Sequence, residues 1–277
     1  MSENTKEYKE YYVAFLDILG FKSLLKNSSC GEIYSVFEIL HNKTHGKRTQ
    51  NGVEIEAYNH IHHTILSDSV IVYIRADIDD AFAALIDICN RLQSSLANKD
   101  VPILLRGGIA IGELFYENDI IYGNGLTAAY LLENNLAKYP RIIFTGDTLE
   151  KGLKNTKYMF SDMEGIIRPY QKDEDYLYYA DYLFPDFLHT AQIIEYYDRL
   201  LTICKNQLNQ SIEDNLREKY LWLKKKVDKA IHIHSDISDY YQKLEKQQEE
   251  KRLHEYNSRF SIYPQQFNVE IEEVSNK

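Results

Sequence analysis

Two apolar runs, Val53 to Leu66 and Ser69 to Ile74, are separated only by Ser67-Asp68, a turn-prone pair. That reads as a hairpin, and its place in the chain limits the fold. Before it come an apolar strand, Tyr11 to Ile18, and two successive helical patterns, FKSLLKN and EIYSVFEILHNKTH. After it come a strongly amphipathic helix (DDAFAALIDICNRLQSSLANK), the strand ILLRGGIAIGELFY, the helix GLTAAYLLENNLA and the strand RIIFTG. A further strand is expected around YLYYADYL. Paired helices and an internal hairpin do not suit a doubly wound parallel sheet, and no GxGxxG or GxxxxGK[ST] loop is present. They suit an α+β sandwich with a split βαβ core and helices on one face.

The last third is helical in pattern, with FLHTAQIIEYYDRLLTICKNQL and LREKYLWLKKKVDKAIHIHS joined by a polar connector. The expected organisation is a domain over 1–185 and a helical extension over 186–277. The 277 residues carry a net charge of −10. That excess of acid argues against a nucleic-acid or anionic-membrane binder. The basic run from Lys224 to Lys229 reads as a solvated helix face; an RNA-binding or scaffold role for the C-terminal helices is the weaker alternative. Cys30, Cys89 and Cys204 lie far apart, without a CxxC pair, which fits a reducing cytoplasm. No apolar run reaches the roughly 18 residues of a membrane span.

Four segments carry chemistry. Asp17 interrupts an apolar strand, where a carboxylate must be paired, hydrogen-bonded or coordinated. Leu19-Gly20-Phe21 then turn into a helix, and such a turn offers backbone N–H groups to an anion. Asp17 could equally cap that helix or pair with an arginine. Asp68 is at the hairpin tip; if the hairpin pairs beside the Asp17 strand, two carboxylates converge, the arrangement that metal-assisted phosphoryl chemistry needs. Alone, Ser67-Asp68 is ordinary turn chemistry. Arg106 interrupts LRGGIAIGELFY as a phosphate-facing cation or a structural ion pair would, and Gly107-Gly108 suggest a bulge or a close backbone approach. Gly123 and Gly125 bracket a turn before a helix.

In this order the segments resemble the catalytic domain of class III nucleotidyl cyclases. Phe15-Leu16-Asp17-Ile18-Leu19-Gly20-Phe21 matches the family's first metal motif, Asp68 its second metal acid, and Arg106, Gly108 and Gly112 its Arg-x-Gly-x-x-x-Gly strand. The resemblance spans roughly residues 10–185. It implies two Mn²⁺ or Mg²⁺ ions held by Asp17, Asp68 and the Ile18 carbonyl, with Leu19, Gly20 and Phe21 around the phosphates. It also implies a homodimer whose sites draw on both subunits. The family's transition-state Asn and Arg correspond to Thr127 and Leu131, and its adenine-reading Lys to Thr64.

These departures, with the wording of AFLDILGF, LSDSVIVY and RGGIAIGELFYE, are closest to the pyrimidine cyclases of bacterial Pycsar antiphage systems. That implies conversion of UTP, favoured over CTP, to cUMP or cCMP. The product would act on a separate cyclic-nucleotide-binding effector. Arg106 would supplement the missing Arg. A non-catalytic, nucleotide-binding regulator on the same fold is the alternative. If Val53–Leu66 is one strand, Tyr58, His60, His62 and Thr64 share a face. Tyr58 and Thr64 then become candidates for reading the base. His60, His62 and His63 lack the further ligands of a zinc site.

Overall fold

The computed structural model describes residues 6–44, 49–50, 53–157, 169–185, 190–210 and 212–260. In chain order the elements are β1 (Lys9–Ile18), α1 (Phe21–Asn27), α2 (Cys30–Lys43), β2 (Thr49–Gln50), β3 (Val53–Glu54), a 3₁₀ turn (Glu56–His60), β4 (His62–Leu66) and β5 (Ser69–Arg75). Then follow α3 (Ala81–Ala97), β6 (Leu105–Glu117), β7 (Ile120–Tyr122), α4 (Asn124–Leu136), β8 (Ile142–Phe144), α5 (Gly146–Lys154), β9 (Tyr170–Lys172), β10 (Tyr178–Ala180), α6 (Thr190–Leu208) and α7 (Asp214–Phe260). The fold is mixed α+β, as expected. His45, at the end of the expected second helix, lies outside the described residues, as do residues 186–189 and the chain after Phe260.

An eight-stranded sheet runs β4-β5-β1-β6-β8-β10-β9, with β7 paired to β6. β1 is central and antiparallel to both β5 and β6. Its alternation is strict. Tyr12, Ala14, Leu16 and Ile18 enter the core formed with α2 and α3, while Val13 and Phe15 face the opposite side.

α4 lies on that opposite side, so the helices do not all share one face. The small residues of β6 allow it. A Cβ on Gly108 would come within 2.5 Å of the Ala129 carbonyl and 2.6 Å of Leu132 Cβ, and one on Gly112 within 2.8 Å of Gly125 Cα. The glycines therefore mark a close approach by α4, and β6 runs through them unbroken.

By contacts the chain falls into two units, Met1–Ala230 and Ile231–Lys277. The expected boundary after residue 185 does not coincide with a break in contacts. In the first unit, α6 and the early turns of α7 close a second core. There Tyr196, Leu200, Trp222, Leu223 and Val227 pack with Tyr139, Ile143, Tyr179 and Tyr182. The second unit is helical through Phe260. Among the described residues, no helix is long and apolar enough to cross a membrane.

Candidate active site

Asp17 is the penultimate residue of β1, opposite Ser69 of β5 on one side and Arg106 of β6 on the other. The β4–β5 turn, with Ser67 in the left-handed region at φ 56°, is therefore held beside the end of β1. The Ile18 N–H donates to the Asp68 carbonyl at 3.1 Å. Register thus brings Asp17, Ile18 and Asp68 to one corner of the sheet.

Arg106 closes the group. Its Nε donates to Asp17 Oδ2 at 3.1 Å, and its Nη2 lies 2.7 Å from Glu133 Oε1. The guanidinium is thus held as a structural ion pair would hold it, between β1 and α4. Burial pushes the Asp17 carboxyl above the usual range; Arg106 pulls it down, and the Asp68 charge adds to the rise. Burial likewise raises Glu133, against Arg106 and with help from Asp17 and Asp68. Carboxylates crowded to this extent favour a cation.

After Leu19 the chain reverses at Gly20, whose φ of 75° is in the region glycine tolerates best. The Leu19 N–H is already used: it donates to the Leu104 carbonyl at 2.9 Å. The expected three-residue phosphate turn therefore shrinks to the amides of Gly20 and Phe21.

Tyr58 is not on a strand. It lies in the 3₁₀ turn, buried in the core on the α3 side, and its hydroxyl donates to Asp87 Oδ2 of α3 at 2.6 Å. The turn breaks the expected long strand, so neither Tyr58 nor His60 shares a strand face with Thr64. Thr64 does reach the Asp17 side: it pairs with Ile71, which pairs with Phe15. On the same face, His62 stacks on Tyr73 with ring centroids 5.5 Å apart. His63 contacts His41 at 3.2 Å and Thr44 at 3.0 Å. Thr127 and Leu131 are exposed on α4.

Sequence reasoning missed Glu133 and Lys219. Glu133 had a signal: Gly125, Ala129 and Glu133 recur every four residues and form the buried stripe of α4. Lys219 of α7 had none, being one cation on a polar helix; its charge acts on Asp17 and Arg106. The expected basic run is neutralised in place. Lys224 pairs with Asp228, Lys225 with Glu174 and Lys226 with Asp173.

Among the described residues, no three His, Cys, Asp or Glu side chains are grouped to hold a metal ion. Two carboxylates still fit a magnesium-like ion, which commonly takes one or two from the protein and the rest from substrate phosphates and water.

No protein-family model and no curated protein matches the chain. Solved structures with similarity include the guanylyl cyclase domain of the RhoGC fusion protein from the aquatic fungus Blastocladiella emersonii. It is 14% identical, covering 64% of this chain and 98% of that one at a TM-score of 0.45. The adenylyl cyclase CyaB from P. aeruginosa is 15% identical over 64% and 96%, at 0.41. An adenylate/guanylate cyclase/hydrolase from Silicibacter pomeroyi is 13% identical over 63% and 98%, also at 0.41. Likeness at this level carries no chemistry, which rests on the residues themselves.

Proposed function

We propose that this chain is a divalent-metal-dependent nucleotidyl cyclase of the class III type, acting on a pyrimidine nucleoside triphosphate. The observation that carries the reading is the meeting of Asp17 and Asp68 at one sheet corner, with the Ile18 backbone between them. Asp17, Asp68 and the Ile18 carbonyl would hold Mn²⁺ or Mg²⁺. When bound, the metal supplies charge neutralisation of the triphosphate and acidifies the ribose 3′-hydroxyl. Arg106 holds Asp17 Oδ2, which orients the carboxylate. The amides of Gly20 and Phe21 face the phosphates.

In the reaction the 3′-oxygen bonds to the α-phosphorus and its proton passes to solvent. The α–β bridging bond breaks, and its electron pair leaves on pyrophosphate. Thr64, one alternation from the Asp68 turn and on the Asp17 face, is the base-reading candidate; a short hydroxyl replaces the long cation suited to a purine. UTP is favoured over CTP. An antiphage role, with cUMP or cCMP acting on a separate effector, rests on the sequence resemblance alone.

One observation favours a non-catalytic regulator: Arg106 is engaged at both ends, and Leu131 offers no charge where the family has its Arg. Incubation of the purified chain with each of four labelled triphosphates and Mn²⁺ separates the two readings. A cyclic pyrimidine monophosphate is the expected product. ATP or GTP as preferred substrate overturns the pyrimidine reading, and no product from any triphosphate overturns the enzyme.

A further inference from the structure

His60, His62 and His63 are close in the chain, but the fold separates them. His60 ends the 3₁₀ turn, with its Nε2 3.4 Å from Glu56 Oε1. His62 stacks on Tyr73, on the Asp17 face of the sheet. His63, one residue on, faces the other way by strand alternation. It is opposite Val72, which enters the core formed with α2 and α3. There it meets His41 of α2, 22 positions earlier in the chain.

Two contacts fix the His63 ring. Its Nε2 is 3.2 Å from His41 Nδ1, with ring centroids 5.2 Å and planes 68° apart. Its Nδ1 is 3.0 Å from Thr44 Oγ1. Thr44 is 2% exposed, and its one hydroxyl hydrogen is used on the Leu40 and His41 carbonyls. The Thr44 oxygen therefore accepts from His63. Assigned from these bonds, the His63 proton is on Nδ1, and the Nε2 lone pair is turned toward His41.

That is how a metal-ligating histidine is held: one ring nitrogen donates to a fixed oxygen, and the other is left for the ion. The spacing fits as well. Two imidazole nitrogens on a tetrahedral zinc ion, each at about 2.0–2.1 Å, stand about 3.3 Å apart. An ion can replace the proton between His63 Nε2 and His41 Nδ1 with a tilt of the rings, which the exposed His41 allows. Imidazole ligands select zinc, copper or nickel over Mg²⁺ and Mn²⁺. Among the described residues no third His, Cys, Asp or Glu joins the pair, so water completes the shell.

We propose that His41 and His63 bind a transition-metal ion of the zinc class, with Thr44 orienting His63. The site is on the opposite side of the sheet from Asp17 and does not rest on the cyclase reading. It joins α2 to β4, and β4 runs on through Thr64 to the Asp68 turn. The ion therefore fastens the base of that hairpin to a helix.

The test is calorimetric titration of zinc chloride into the full chain carrying Asp17→Asn, which removes a carboxylate from the acid corner. The same titration is run with His41→Gln, His63→Gln or Thr44→Val added. Zinc should bind the Asp17→Asn chain. Affinity should fall by well over tenfold with either Gln substitution, and by roughly tenfold with Thr44→Val, which removes only the supporting acceptor. In the otherwise wild-type chain, zinc should raise the melting temperature, and His41→Gln should abolish most of that rise. His41 is an exposed helix position, so its replacement leaves the fold intact. An Asp17→Asn chain that binds no zinc overturns the proposal. Undiminished zinc affinity in the folded His41→Gln chain overturns it too, because the ion is then held elsewhere.

Discussion

The backbone N–H of Ile18 donates to the carbonyl of Asp68 across 3.1 Å, tying the end of β1 to the tip of the β4–β5 hairpin. The bond holds two acids, 51 positions apart in the chain (68 − 17), at one corner without using either carboxylate. Both side chains are left for a ligand, Asp17 with one oxygen on Arg106.

Asp17→Asn and Asp68→Asn should each lower turnover by roughly a thousandfold, the several kcal/mol expected when metal-borne charge stabilisation is lost. Folding should survive, because the β1–β5 register depends on backbone bonds and on the apolar alternation. Calorimetric Mn²⁺ titration beside the turnover assay is the check. A folded variant that retains wild-type turnover removes that acid from the site.

Glu133 is nearly inaccessible, with 4% of its side chain exposed, and it takes the second arm of Arg106. Glu133→Ala should cost about 2 kcal/mol in chemical denaturation. That is below the cost of breaking a fully buried pair, because Arg106 keeps Asp17 and is a quarter exposed. Glu133→Gln, which retains an acceptor, should cost less. Equal stability of Glu133→Ala and wild type would show that the clamp contributes nothing.

Asp181, 3% exposed, has its carboxyl pushed up to about 6 by burial, against the Leu183 amide, Gln171, Lys226 and Lys229. The folded state therefore holds this proton more tightly than the unfolded chain, whose value is near 3.8. The resulting stability is fully present below about pH 4 and is lost as pH rises through 6. Asp181→Asn should then match wild type near pH 4 and exceed it at pH 8, by an amount on the order of 2 kcal/mol. Denaturation midpoints across that range decide it; a constant difference between the two proteins rules the account out.

Tyr130, Leu131 and Leu136 are each exposed by 44–46% on α4, beside the exposed Thr127. Such a surface fits a composite site completed by a second copy. Sedimentation should give twice the chain mass at micromolar concentration, and Leu131→Asp should shift it to monomer with loss of turnover. A fully active monomer would contradict the dimeric site.

Local pattern was enough to place β1, the hairpin turn, β6, α3 and α4. Period-two and helical alternations are written into adjacent residues, and Gly107-Gly108 already suggested a bulge or a close backbone approach. The α+β class followed from that order, whereas the meeting of Asp17 and Asp68 was conditional on the hairpin lying beside β1, which the β1–β5 register supplies. Tyr58 went astray because alternation cannot distinguish a strand from a strand broken by a 3₁₀ turn. What decides is the hydroxyl's bond to Asp87 on α3. Leu19 lost its free amide for a similar reason, since Leu104 reaches it across the sheet. The commitment of Arg106 to Glu133 and the approach of Lys219 lay beyond any sequence pattern. Glu133 is 27 positions from Arg106 (133 − 106), and Lys219 is 202 from Asp17 (219 − 17). The chain's own residues determined the elements, the turn and the acids. Only packing decided which charges meet, because that depends on register and on which helix face is buried.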